Sequence, residues 1–71
     1  MKAEQTKDSF VVDDLIEIMN EHAGINTLLD AIKYCIYNWR NEIIFDFDSY
    51  SVVEEDGLEI ICVSYKSWSL S

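Results

Sequence analysis

Proline is absent from the 71 residues and glycine occurs only twice, which excludes a linker and a disordered tail. Basic residues are also scarce. Five Lys and Arg stand against 14 Asp and Glu, for a formal net charge of −9. Contacts to DNA, RNA or an anionic membrane surface are built from Lys and Arg, so direct binding to any of them is not expected. No apolar run approaches the roughly 18 residues of a membrane span. The start, MKAEQTKDS, lacks the apolar stretch of a signal peptide, so the cytoplasm is the expected location.

Histidine occurs once and cysteine twice. Cys35 and Cys62 are far apart in sequence, with no CxxC and no second ligand at metal spacing, and read as buried thiols in a reducing compartment.

What remains is a chain with 49% hydrophobic and 13% aromatic residues, which is enough to fold as one domain near the lower size limit for a single apolar core. Residues 1–8 are polar and mixed in charge and read as a flexible N-terminus, leaving 9–71 as a single α+β domain. Val11, Leu15, Ile18 and Met19 recur at helical spacing, with Val12 and Ile16 widening the stripe. Asp8 or Ser9 is the expected cap, Asp13 and Asp14 suit the positive end of the helix dipole, and Gly24 suits its end. A second helix follows Asn26 or Thr27, with Asp30 three residues after Thr27. Leu28, Leu29, Ile32, Cys35, Ile36 and Trp39 form its apolar stripe, extended by Tyr34 and Tyr37. The short link between the two predicts an αα-hairpin.

Past Asn41 the period falls from about 3.6 to 2. Ile43, Phe45 and Phe47 alternate with Ile44, Asp46 and Asp48, and Leu58, Ile60 and Cys62 with Glu59, Ile61 and Val63. Between these runs Asp56-Gly57 is a strong two-residue hairpin signal. The first arm is long enough for a bend near Asp48-Ser49. The expected fold is therefore an N-terminal αα-hairpin packed on a small antiparallel sheet of two or three strands. The tail keeps a period of two, so Trp68 and Leu70 are expected to dock on the sheet.

Alternation places Phe45 and Phe47 on the core face and sends Asp46 and Asp48 to the other, about 6.6 Å apart, with Tyr50 beside them. The pair is too small a ligand set for a metal. An EF-hand loop begun at Asp46 would put Ser51 where glycine is needed and Gly57 where the bidentate Glu belongs. A D-x-D phosphate site would need a glycine-rich loop or a basic clamp that the chain lacks. His22 lies near a helix end, where a cation suits the dipole, and no nucleophile has a recognisable base beside it. No catalytic residue, metal or cofactor is expected.

The larger pattern is charge. Between Arg40 and Lys66 lie Glu42, Asp46, Asp48, Glu54, Glu55, Asp56 and Glu59 with no base among them; a second all-acidic interval between Lys7 and Lys33 holds Asp13, Asp14, Glu17, Glu21 and Asp30. Such intervals are a solubilising face or a recognition surface. As recognition, carboxylates at strand spacing imitate successive phosphates and fit an Arg/Lys groove built for nucleic acid. The candidate contact residues are Asp46, Asp48, Tyr50, Glu54, Glu55, Asp56 and Glu59. The expected partner is the basic surface of another protein, one that binds nucleic acid. In composition, though through no particular residues, the chain is similar to the small acidic proteins with which phages block nucleic-acid-binding host defences. The alternative is a self-associating structural or adaptor module, a homodimer included, acting through exposed aromatics and a sheet edge.

Overall fold

Residues Leu58–Ser69 form the strand on which the whole fold is assembled: Ile61, Val63, Tyr65 and Ser67 are buried on one face, while the alternate residues between them are less covered. The computed structural model describes residues 3–69. In chain order the elements are β1 (Glu4–Val11), α1 (Val12–Glu21), α2 (Leu28–Arg40), β2 (Glu42–Glu55) and β3 (Leu58–Ser69). The sheet order is β1-β3-β2, antiparallel throughout. Both helices lie on one face of the sheet and leave the other uncovered. Among the described residues the fold is thus α+β with two helices and three strands.

The helix pair is not N-terminal, because β1 precedes it. Residues Glu4–Asp8, expected to fray, pair with Val63–Ser67. The strand was hidden because its helix-facing positions are Thr6, Asp8 and Phe10, two of them polar. Asp8 is tolerated there because it accepts a hydrogen bond from the buried Tyr65 hydroxyl and pairs with Arg40 at the end of α2. The anticipated caps Asp8 and Ser9 are therefore strand residues. The helix starts later, after Val11, with no side-chain cap.

The core gathers Val12 and Leu15 of α1, Ala31, Ile32, Cys35 and Ile36 of α2, and Ile61, Val63 and Tyr65 of β3. These are the apolar stripes read from helical and strand periods, brought together. Thr27 caps α2, its hydroxyl accepting from the Asp30 amide at 3.1 Å. Asn41 ends that helix in the left-handed region at φ 56°, one of the few conformations for which Asn is favoured. His22, which closes α1, stacks on Tyr34 of α2 with ring centroids 4.7 Å apart. Trp39 shares the apolar stripe of α2 by periodicity but sits in the last turn, where nothing covers it, and is 68% exposed.

The β2–β3 hairpin turns through Asp56 and Gly57, at φ 54° and 79°. Two positive φ values are what a two-residue turn needs to match the right-handed twist of the strands. Cys35 lies in the core and Cys62 on the opposite face of the sheet, and both are free thiols. Trp68 docks on that uncovered face against Phe45, with centroids 5.7 Å apart. Leu70, its expected companion, lies outside the described residues. No helix among the described residues is long and apolar enough to cross a membrane.

Candidate protein-binding surface

Two irregularities in β2 decide where its carboxylates point. Ile44 pairs with Ser67 and Asp46 with Lys66, leaving Phe45 as an extra residue; Phe47 pairs with Tyr65 and Ser49 with Ser64, leaving Asp48 as a second extra residue. Each bulge resets the alternation of side chains. Directly paired residues share a face of a sheet, so the register assigns the sides.

Asp46, opposite Lys66, is on the uncovered face. Phe45, expected in the core, is half exposed and stacks on Trp68 there. Phe47 does face the helices, where Lys33 Nζ lies 5.6 Å from its ring centroid. Tyr50, expected beside Asp46 and Asp48, is opposite Val63 and so on the helix side. The second bulge shifts the parity that would have kept these three together.

The seven anticipated contact residues therefore do not form a single face. Asp46 and Glu55 lie on the uncovered side, and Tyr50, Glu54 and Glu59 on the helix side. Asp48 occupies a bulge, and Asp56 the tip of the turn. What unites most of them is reach. The helices cover only the first part of β2, and every residue from Asp48 to Glu59 is exposed. The longest dimension of the molecule, 39 Å, is on the scale of this 14-residue strand at about 3.3 Å per residue. Glu54 and Glu59 stand directly opposite one another, and Glu55 and Asp56 lie between them along the chain.

The fold adds carboxylates that the sequence left elsewhere. Val11 pairs with Ile60, and α1 begins at the next residue. Asp13 and Asp14, both exposed in the first turn of α1, thus lie at the same end of the sheet as the hairpin. Neither 11–21 nor 49–60 contains a Lys or Arg. Among the described residues, the bases pair elsewhere, Lys7 with Ser64 in the middle of β3. Lys66 faces Asp46, Lys33 covers Phe47, and Arg40 pairs with Asp8 at 2.5 Å. Both acidic intervals were visible in the sequence. That Asp13 and Asp14 share an end of the sheet with the hairpin depends on a strand whose pattern concealed it.

No protein-family model, curated protein or solved structure matches this chain. Among the described residues, no three or more His, Cys, Asp or Glu side chains are grouped to hold a metal ion. The uncovered face has a shallow hollow of about 540 Å³ whose lining includes Lys7, Ser9, Ser49, Ser51, Cys62 and Ser64. Three of these residues are hydrogen-bonded: Ser64 Oγ accepts from Gln5 Nε2 at 2.7 Å, and the Ser9 hydroxyl donates to Cys62 Sγ at 3.6 Å.

Proposed function

We propose that this is a non-enzymatic inhibitor that binds the basic, nucleic-acid-binding surface of another protein, such as a host defence or regulatory protein, in the cytoplasm, and occupies it as a mimic of nucleic acid. The observation that supports this most is the convergence of Glu54, Glu55, Asp56 and Glu59 with Asp13 and Asp14 at one end of the molecule, in segments free of Lys and Arg. A carboxylate patch of one sign steers a basic partner and pairs with its guanidinium groups. Opposed Glu54 and Glu59 cost the isolated domain stability; a basic partner relieves that repulsion. Asp46 contributes less, since Lys66 stands across from it.

The test is capture from a cell lysate at low salt on the tagged domain, with elution first by a salt gradient and then by competitor DNA. A nucleic-acid-binding protein released by both supports the reading. Retention that neither disturbs would refute it.

A second reading, a self-associating module, draws on the uncovered sheet face, where Phe45 and Trp68 stack while remaining 50% and 41% exposed, with Ile43 beside them. It predicts a mass that rises with concentration and is insensitive to salt.

A further inference from the structure

The outer edge of β2 provides a second kind of contact. β2 is an outer strand of the β1-β3-β2 sheet, and among the described residues its only strand neighbour is β3, so alternate backbone N–H and C=O groups along its other side have no described strand to pair with. Its beginning is broken up by the two bulges, but from Ser49 to Glu55 the register is regular. Within that regular stretch the run Ser49-Tyr50-Ser51-Val52-Val53 carries no charge. Tyr50, Val52 and Val53 are 60%, 51% and 45% exposed. This is a strand-forming edge with its side chains unclaimed. The β1 edge differs, since Glu4, Lys7 and Asp8 interrupt it with both signs of charge.

The flanking charges decide what can pair there. Asp46 and Asp48 precede the uncharged run, and Glu54 and Glu55 follow it. A second copy laid antiparallel and centred on Ser51 would place Asp48 of each chain against Glu54 of the other. Shifting that register by one residue brings Asp46 or Asp48 against Glu55 instead. A parallel pair in register stacks each acid on itself. Like charges directly across a strand pair are destabilising, so the edge repels its own copy. A strand with a base at each end meets the opposite situation.

Building on the reading of the acidic hairpin as the partner-binding end, we infer that the edge of β2 over Ser49–Val53 accepts an extended segment of the partner by strand addition. The segment carries Lys or Arg at two positions six residues apart, one opposite Glu54 and the other reaching Asp48 in the bulge just before the regular stretch, with uncharged strand-forming residues between. Backbone pairing supplies the attachment and the two ion pairs select the basic strand.

The probe is the peptide acetyl-Lys-Val-Thr-Val-Thr-Val-Arg-amide, added to the whole protein and followed by amide chemical shifts and by affinity. Two N-methylated versions keep every side chain and charge but block the N–H groups of one or the other alternate set. The expected result is that shifts concentrate on residues 49–53 and that one N-methylation pattern weakens binding about tenfold or more while the other is tolerated, because only alternate amides of a strand face its neighbour. If both patterns bind like the parent, attraction is by charge alone and strand addition is wrong, although the acidic-surface reading survives. No binding of the parent peptide also overturns strand addition, and the lysate capture described above then judges the surface reading separately. If a Glu-flanked version binds as tightly as the parent, with the same N-methyl dependence, the charge selection fails and takes the basic-partner reading with it. Shifts at 49–53 that depend only on protein concentration would make a second copy the occupant and overturn the inference.

Discussion

Tyr65, fully buried at the centre of the sheet, donates its hydroxyl hydrogen bond to Asp8 of β1, which also pairs with Arg40 from the last turn of α2. One carboxylate thus ties β1 to both β3 and α2. Replacing Asp8 by Ala leaves a buried hydroxyl without its acceptor, at a cost of about 1–3 kcal/mol. Tyr65→Phe removes the donor and leaves Asp8 with Arg40, costing about 1 kcal/mol. Urea unfolding should therefore rank Asp8→Ala as the more destabilising change. A neutral Asp8→Ala would show that this contact does not hold β1 in place.

The same contact predicts an alkaline signature. Burial first, and then the hydrogen bond to Asp8 and its negative charge, push the Tyr65 pKa well above its ordinary value of 10.0. The native state keeps this proton after the unfolded chain has lost it, so the unfolded state binds fewer protons and stability falls as pH rises. The advantage of the wild type over Tyr65→Phe is complete below about pH 10 and shrinks above it. Denaturation series at pH 8, 9.5 and 10.5 check this. An advantage that grows with pH would reverse the assignment.

The two thiols are predicted to differ in reactivity. Burial, reinforced by the charge of Asp14, raises the pKa of Cys35, which has no exposed surface. Thiolate is the reactive form, so Cys35 is protected twice. Cys62 is only half-buried, on the uncovered face. A thiol reagent should modify one group quickly in the native protein, identified as Cys62 by peptide mapping, and a second only on unfolding. Equal rates would contradict the placement of Cys35.

Glu59→Lys separates stability from binding. It converts the repulsive pair with Glu54 into an attractive one, so stability should rise by about 0.2–1 kcal/mol, most visibly at low salt. Partner binding should weaken, because a base then stands in the acidic patch. A variant that lost both would point to simple misfolding of the arm.

Much of the architecture was legible because it depends on periodicity and turn chemistry. The stripe of Ile32, Cys35 and Ile36, the Thr27 cap and the Asp56-Gly57 turn follow from local residue choice. Three features were not local. β1 places Thr6 and Asp8 toward the helices, so its alternation carries no hydrophobic signal, and Asp8 is accommodated by Arg40 and Tyr65, 32 and 57 residues away. The bulges at Phe45 and Asp48 follow from pairing with β3 and have no residue signature, so counting by two put Phe45 and Tyr50 on the wrong faces. Asp13 and Asp14 join the hairpin end through the pairing of Val11 with Ile60. Local patterns could identify the acidic segments, and only long-range pairing could bring them together.

The central claim, that the acidic end binds a basic nucleic-acid-binding surface, is tested most directly by comparing two baits in one lysate at low salt. One is the wild type; the other carries Glu54→Gln, Glu55→Gln, Asp56→Asn and Glu59→Gln, with unfolding curves run beside both. All four positions are exposed, and Asn is as well suited as Asp to the turn. The variant should be at least as stable as the wild type. The predicted result is a nucleic-acid-binding protein retained by the wild type, displaced by added DNA and missing from the folded variant. The same proteins retained by both baits, with DNA displacing none of them, would contradict the claim and leave these carboxylates a solubilising surface.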